Sequence, residues 1–307
     1  MTASSAAFST RRTPSDGFII VAVLWILGAL ATLVSIYAVY VVDTAGIFGA
    51  FDDRLRAEQL VSAALELTAY RLRADPRPSY GRFEFRMGQA NVAAEFRSET
   101  ARIDLNAAPK DLVIGLLAEL GVPRDDAGYD ADRIIGWRTP PGKGEDSEAF
   151  AYQKAGLRYA PRGAPFPHVN ELSLVLDLPI ALIERLLPFV TVYSGRPQLN
   201  ILAAKPELIA ALPGMTRDRL RAFLVQREVA PGNRQALMQW LGPSQRFATI
   251  DAGNASRVTV RVAFDNGRRI TSEAVILVLA EDAEPFSILS WSDEWDEPRG
   301  ERTAGVR

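Results

Sequence analysis

Apolar residues are concentrated in one uninterrupted stretch near the start of the chain. Residues 18–42 contain no charged residue, Asn, Gln or Pro, and as a helix they would be about 38 Å long, enough to cross a hydrocarbon core of ~30 Å. A cleaved signal peptide or a buried core helix would also be apolar, but the apolar part of a signal peptide is shorter. Arg11 and Arg12 precede the stretch and Asp43 follows it. The pattern therefore predicts one membrane-spanning helix with a cytoplasmic N-terminus.

Beyond this stretch the pattern changes to one amphipathic helix and then to strands. Residues 54–74 place apolar side chains at i, i+3, i+4 and i+7, and Asp75-Pro76 ends the pattern. Alternation, with an Asn-Gly turn between two of the runs, predicts strands at 82–87, 91–96, 101–105, 256–264, 270–279 and 286–291. The chain is therefore predicted to be an α+β protein in which a long N-terminal helix packs on an antiparallel sheet. A large all-α insert interrupts that sheet.

The predicted insert, residues 106–246, contains an approximate internal repeat. Leu-Asn106 and Leu-Asn200 each precede an Ala-rich helix start, and Gly121 and Gly214 end the two helices. This pattern is typical of helix-hairpin-helix units. In DNA-binding units the amides of the hairpin hold a phosphate. Each hairpin here has a single Gly, so a structural or protein-binding use is favoured over nucleic acid.

Composition narrows the classes of function. The chain has 35 Lys and Arg against 37 Asp and Glu, and a net charge of -2 does not favour nucleic acid as a partner. It has no cysteine, which excludes disulfides, thiolate nucleophiles and Cys-ligated metals. His168 is the only histidine, and no hydrolase or metalloprotease motif accompanies it. We therefore expect no catalytic residue, and a membrane-tethered hydrolase is disfavoured.

Several segments, found in one order, resemble the minor pseudopilins of type II secretion systems, in particular the general secretion pathway protein K family. The resemblance runs from Gly17 to about Trp291. The segments that carry it are GFIIVAVLWILGALATL, RIDLNAAPKDLV, IIGWR, PFPHVNELSLV, LIERLLPFVTVYSG and LNILAAKPELIAALPG.

The resemblance implies that the precursor is processed between Gly17 and Phe18. A prepilin peptidase cuts pilin-like precursors after a Gly that abuts the apolar helix, and the new terminal residue, here Phe18, is N-methylated. Most pilin-like subunits carry Glu at the fifth residue after the cut, where its charge neutralises the ammonium of a neighbouring subunit. That position is Ala22 here. The missing carboxylate, together with a bulky insert, implies a subunit at the tip of the filament.

The same resemblance implies the organisation and the partners of the chain. The expected parts are a leader 1–17, a transmembrane helix 18–42, a pilin-like domain from 43–105 and 247–292, the insert 106–246 and a charged, disordered tail 293–307. The expected partners are other minor pseudopilins, the prepilin peptidase and the bacterial inner membrane, with secreted cargo as a further partner to test and no nucleic acid. Most of the chain would be periplasmic. The tip subunit would nucleate the pseudopilus for export across the outer membrane. The alternative is a membrane-anchored DNA-uptake or pilus-tip protein that binds DNA through its helix-hairpin-helix units.

Calcium is the one metal for which the sequence offers ligands. Glu145, Asp146 and Glu148 cluster on a glycine-containing loop, and Ca²⁺ takes hard oxygen ligands of this kind. Relatives in the family bind calcium in their helical insert. A solvated surface loop is the alternative, and it is favoured by the run Thr139-Pro-Pro-Gly-Lys, where relatives are often acidic. We expect that no cofactor is required, and Ca²⁺ is the ion to test.

Overall fold

A computed structural model of the chain describes residues 15–140, 142, 144, 147–230, 233–279 and 284–296, without the side chains of 15–18, 42–53, 295 and 296. The chain forms two compact units, Met1–Glu58 and Gln59–Arg307. The described helices are α1 (Ser15–Arg71), α2 (Lys110–Glu119), α3 (Arg124–Arg138), α4 (Glu148–Lys154), α5 (Ile180–Leu186), α6 (Pro206–Ala210), α7 (Arg217–Val229) and α8 (Arg234–Trp240). The described strands are β1 (Tyr80–Met87), β2 (Ala90–Ser98), β3 (Ile103–Asp104), β4 (Val190–Thr191), β5 (Leu199–Asn200), β6 (Ala248–Thr249), β7 (Ala255–Phe264), β8 (Arg269–Leu277) and β9 (Ser287–Asp296).

The second unit contains an antiparallel sheet of five strands in the order β1-β2-β7-β8-β9. Alternate residues of β2 and β7 are buried, as expected when one face of a sheet is covered. The last turns of α1 carry a buried stripe that includes Leu65 and Ala69, and the guanidinium of Arg71 lies 4.3 Å from the centre of the Phe83 ring on β1. The predicted packing of the long helix on an antiparallel sheet is confirmed.

One predicted strand of this sheet is wrong. Residues 101–105 alternate, but the chain leaves the sheet at the end of β2. There the side chain of Ser98 accepts the amide of Thr100 at 3.1 Å and caps a 3₁₀ turn. Beyond the turn, Ile103–Asp104 pairs in parallel with Val190–Thr191, in a separate two-stranded sheet. The alternation correctly indicated extended backbone but could not identify its partner.

The last strand is longer than predicted. The sequence indicated a strand at 286–291 and a charged tail from 293 onward. In the structure β9 continues to Asp296, which pairs with Arg269 at the start of β8. Residues 293–296, which the sequence analysis placed in the charged tail, therefore belong to β9 and pair with β8. Residues 297–307 lie outside the described part of the chain.

The insert occupies the place of a hairpin loop. Strands β2 and β7 are adjacent and antiparallel, and Ser98 at the end of β2 pairs with Ser256 near the start of β7. Two strands with this register would need only a short turn between them. Residues 99–254 stand there instead, a wider range than the predicted 106–246. The insert has its own hydrophobic core, with Trp137, Tyr152 and Phe166 in contact near its centre.

A buried carboxylate connects the insert to the sheet. The side chain of Glu99 is 1% exposed. It accepts a hydrogen bond from Nε of Arg257 on β7 at 2.8 Å and another from the hydroxyl of Thr191 on β4. A buried charge needs this kind of pairing, because an unpaired one is costly. Glu99 therefore holds the first turn of the insert against both the sheet and the insert's own small sheet.

The predicted repeat is present as two helical hairpins, α2–α3 and α6–α7. The structural equivalence, however, is shifted by two residues from the Leu-Asn match, because Asp104 corresponds to Asn200. Oδ1 of Asp104 accepts the amide of Asn106 at 2.7 Å, and Oδ1 of Asn200 accepts the amide of Leu202 at 2.9 Å. Each residue also ends a short parallel strand. The shared feature is thus an extended residue whose side chain starts the turn into a helix.

The first helices of the two hairpins make a close contact that requires glycine. A Cβ atom at Gly115 on α2 would lie 1.9 Å from the carbonyl oxygen of Ala211, directly after α6. The contacted atom belongs to the backbone, so it cannot move aside as a flexible side chain could. By contrast, a Cβ atom at Gly128 on α3 would meet nothing within 4 Å.

We expect Glu99→Gln to lower the free energy of unfolding by about 1–3 kcal/mol, because it removes the buried one of the two carboxylates that pair with Arg257, and Glu273 remains as the other. Urea unfolding followed by circular dichroism measures the loss. Glu84→Gln is the matched control, since Glu84 pairs with Arg82 on the exposed side of β1, and we expect it to cost less than about 1 kcal/mol. Equal losses in the two variants would show that Glu99 does not hold the joint.

We expect Gly115→Ala and Gly128→Ala to change stability in opposite directions, although both place Ala within a helix. Gly128→Ala should gain up to about 1 kcal/mol from helix propensity. Gly115→Ala should lose about 1–3 kcal/mol, since its Cβ forces the α2 and α6 backbones apart. Thermal unfolding of both variants measures the difference, and a stabilising Gly115→Ala would contradict the close contact.

Candidate functional site: the anchor helix and the helical insert

Among the described residues, one helical stretch, in the first unit, is long and apolar enough to cross a membrane. It covers Ile19–Val41 and has a mean hydropathy of 2.7, and the side chains of its most apolar part are not buried within the protein. The short hydroxyl side chains of Thr32 and Ser35 are satisfied within the helix, since Thr32 donates to the carbonyl of Gly28 at 2.8 Å and Ser35 to that of Ala31 at 2.9 Å. Such bonds let polar residues lie in a lipid environment.

The predicted processing site lies at the beginning of this helix. Gly17 and Phe18 lie within α1, and the side chain of Phe18 is outside the described part of the structure. Ala22 lies in the same helix and is half-exposed. Cleavage at Gly17–Phe18 and the role of Ala22 stay predictions, because no partner or protease is present.

The segments that resemble protein K have structural roles in the insert. In the IIGWR run, Trp137 is buried and donates Nε1 to Glu171 at 3.1 Å. Arg138 donates to the carbonyls of Leu105 and Ala108, the second at 2.7 Å. These two bonds tie the end of α3 to the loop before α2.

The PFPHVNELSLV segment completes the same core. The backbone of Phe166 exchanges two hydrogen bonds with the side chain of Asn106, at 2.7 and 2.9 Å. His168 accepts the amide of Asn170 on Nδ1 at 3.1 Å and starts a 3₁₀ turn. His168 therefore has a capping role in this loop.

A cleft of about 810 Å³ lies between the two helical hairpins. Its walls are mostly small or apolar, and its charged lining residues are Asp111, Glu119, Arg124 and Asp125. Three carboxylates against one guanidinium make this cleft a poor host for a phosphate backbone.

The hairpin amides are also used within the protein. The amide of Gly121 donates to Ala118 at 2.9 Å and that of Val122 to Leu117 at 3.0 Å, while in the second hairpin Met215 donates to Leu212 at 2.9 Å. Gly121 and Gly214 have φ angles of 86° and 83°, which glycine adopts without strain. The glycines therefore serve to reverse the chain.

The predicted calcium ligands fall into two groups. Glu145 and Asp146 lie outside the described residues. Oε2 of Glu148 lies 3.0 Å from Nη1 of Arg133, with both side chains 17% exposed, and Oε1 of Glu148 is buried without a hydrogen-bond partner in the described part. Burial raises the pKa of Glu148, and Arg133 acts in the opposite direction. One carboxylate already neutralised by a guanidinium does not by itself fit a Ca²⁺ site, and no group of three metal-ligating side chains occurs among the described residues.

A buried carboxylate lies on α3, the helix that carries Arg133. Asp130 on α3 is 8% exposed. Burial raises the pKa of its carboxyl group, and the nearby charges of Asp126 and Asp177 act in the same direction.

The sequence analysis did not identify Glu99 as a structurally important residue. Glu99 stands in a Ser-Glu-Thr segment at the end of an alternating run, and nothing in that segment distinguishes a buried glutamate from an exposed one.

Comparison with known proteins connects these features to one family. A family model for protein K of the type II secretion system matches residues 91–195, which run from β2 through the first hairpin to the loop after β4. No curated protein sequence matches the chain. The fold is similar to a chain in the crystal structure of the GspK–GspI–GspJ complex from the enterotoxigenic Escherichia coli type 2 secretion system. That match has 19% identity and a TM-score of 0.53, and covers 80% of this chain and 95% of the other.

At this identity the structural likeness shows the fold, and the sequence match to the family covers residues 91–195. The matched range contains the buried Trp137, the Asn106–Phe166 exchange and the bond between Thr191 and Glu99. Residues 91–195 of the chain are thus similar to protein K of the type II secretion system, a minor pseudopilin.

Proposed function

We propose that the protein is the tip subunit of the type II secretion pseudopilus and nucleates it together with other minor pseudopilins. The observation that carries this proposal is the position of the insert. Residues 99–254 stand where a pilin-like sheet needs only a short turn between β2 and β7. A folded domain at that point would obstruct a further subunit stacked above it.

The partners in this proposal follow from the structural likeness. The similar crystal structure contains GspK with GspI and GspJ. We infer that this chain assembles with the corresponding minor pseudopilins of its own system. Contact with secreted cargo belongs to the same proposal.

The DNA-binding alternative has less support. The hairpin amides of Gly121, Val122 and Met215 donate hydrogen bonds to carbonyls of the protein itself. Carboxylates predominate among the charged residues of the cleft between the hairpins, so the cleft would repel phosphates. We propose that the role of the protein is mechanical and involves no catalysis. The segments that resemble protein K contribute to the core of the insert, as far as the structure describes them. A calcium site would need Glu145 and Asp146 in addition to Glu148, and no step of the proposed role depends on it.

We further propose that the chain is a single-pass inner-membrane protein with a cytoplasmic N-terminus and a periplasmic second unit. The apolar segment Ile19–Val41 supports the anchor, and the arginines before it support the orientation. Processing after Gly17 would leave this helix intact.

For processing, we expect membrane-extracted protein to carry an N-methylated Phe18 as its first residue in mass spectrometry. Gly17→Ala should block the cut, because the added methyl group crowds a peptide bond that the protease must hold closely. Ser15→Ala is the control and should be cut normally. An intact Met1, or a terminus beyond Val42, would contradict the assignment of the cleavage site.

For the tip role, we expect Ala22→Glu to leave secretion unchanged or reduce it, without adding the subunit along the filament shaft. A tip subunit has no neighbour above it whose ammonium needs a carboxylate, and a charge in the membrane costs about 2.5–3.5 kcal/mol on insertion scales. Ala29→Glu, one heptad further along α1, controls for that insertion cost. Secretion assays and counts of this subunit per filament measure both effects.

The same counts decide the assignment. Many copies per filament in the unmodified protein would overturn the tip role. Efficient shaft incorporation of Ala22→Glu alone would show that the missing carboxylate, and not the insert, had restricted the subunit.

A further inference from the structure

A small cavity between the beginning of β1 and the second helical hairpin is lined by cationic and polar groups. Its volume is about 200 Å³, smaller than the 300–1,000 Å³ typical of small-molecule sites. Its lining residues are Pro78, Ser79, Tyr80, Leu202, Arg227 and Arg234. The lining contains two guanidinium groups and no carboxylate.

Arg227 is held in place by hydrogen bonds from only one of its three guanidinium nitrogens. Its Nη1 donates to the carbonyl of Ile201 at 3.2 Å and to that of Ala204 at 2.8 Å. No described residue accepts a hydrogen bond from its Nε or Nη2. Burial lowers the pKa of Arg227, and the positive charge of Arg97 acts in the same direction. Glu228 and Tyr80 act in the opposite direction, but Glu228 does not line the cavity.

Arg234, at the beginning of α8, supplies the second charge. Across the described ranges, it makes no hydrogen bond or ion pair. An anion in this cavity would lie near two guanidinium groups and no lining carboxylate, so its charge would be stabilised there. Arginine forks match the planar geometry of a carboxylate.

We propose that this cavity binds the carboxylate of an Asp or Glu side chain from an acidic segment of a partner protein. The volume suits one side chain. Pro78 and Leu202 offer apolar walls for its methylene groups, while Arg227 and Arg234 hold the carboxylate. A phosphate group would match the charges but would leave those two walls without an apolar contact. The inference does not rest on the tip role.

Thermal unfolding of the full chain in nanodiscs, at constant ionic strength, tests this binding. The probe is glutamate capped as its N-acetyl N-methylamide, with the capped glutamine as the neutral comparison. Ligands that bind the folded state alone raise its midpoint. We expect capped glutamate to give a saturable rise of roughly 2 °C, and capped glutamine to give none.

Two arginine variants locate the effect. Arg234→Gln should abolish the rise, whereas Arg217→Gln, which removes an exposed charge from α7 outside the cavity, should keep it. Arg227 is left unchanged because it also caps two carbonyls. Equal effects of capped glutamate and capped glutamine would overturn the proposal, as would loss of the rise in both variants. A rise with inorganic phosphate but not with capped glutamate would overturn it in favour of a phosphate site.

Discussion

The arrangement of the second unit depends on one buried carboxylate, Glu99. It follows the last residue of β2 and binds Arg257 on the neighbouring strand of the sheet and Thr191 inside the insert. These partners are far apart in sequence, so the bonds form only when sheet and insert are both folded. A charge buried at 1% exposure tolerates few other arrangements. The geometry of the joint is therefore strongly specified.

Beyond this joint, the insert contains two copies of one arrangement, a short parallel strand followed by a helical hairpin. Asp104 and Asn200 each end a short parallel strand and direct the chain into a helical hairpin. The two hairpins approach each other where Gly115 meets the backbone at Ala211. The segments that resemble protein K include the run that contains Trp137, which is buried in the core of the insert. The residues that carry the resemblance therefore also stabilise the fold of the insert.

This construction explains how a pilin-like protein can carry a large domain without disturbing its sheet. The register of β2 and β7 continues to Ser98 and Ser256, so the sheet needs no change where the insert begins and ends. In the proposed role, that domain is what makes the subunit terminal in a filament. The anchor helix contributes a different property, since its apolar length suits a bilayer.

Local periodicity determined much of this protein from the sequence alone. The apolar stretch of the anchor, the alternation of β2, β7 and β8, and the glycines that end the hairpin helices are short-range signals, because each follows from the geometry of a single element. Only the tertiary structure decided that Ile103–Asp104 pairs with Val190–Thr191 and that Asp104, not Asn106, is the counterpart of Asn200. Those choices depend on hydrogen-bond partners brought together by folding, and the spacing of residues along the chain carries no record of them.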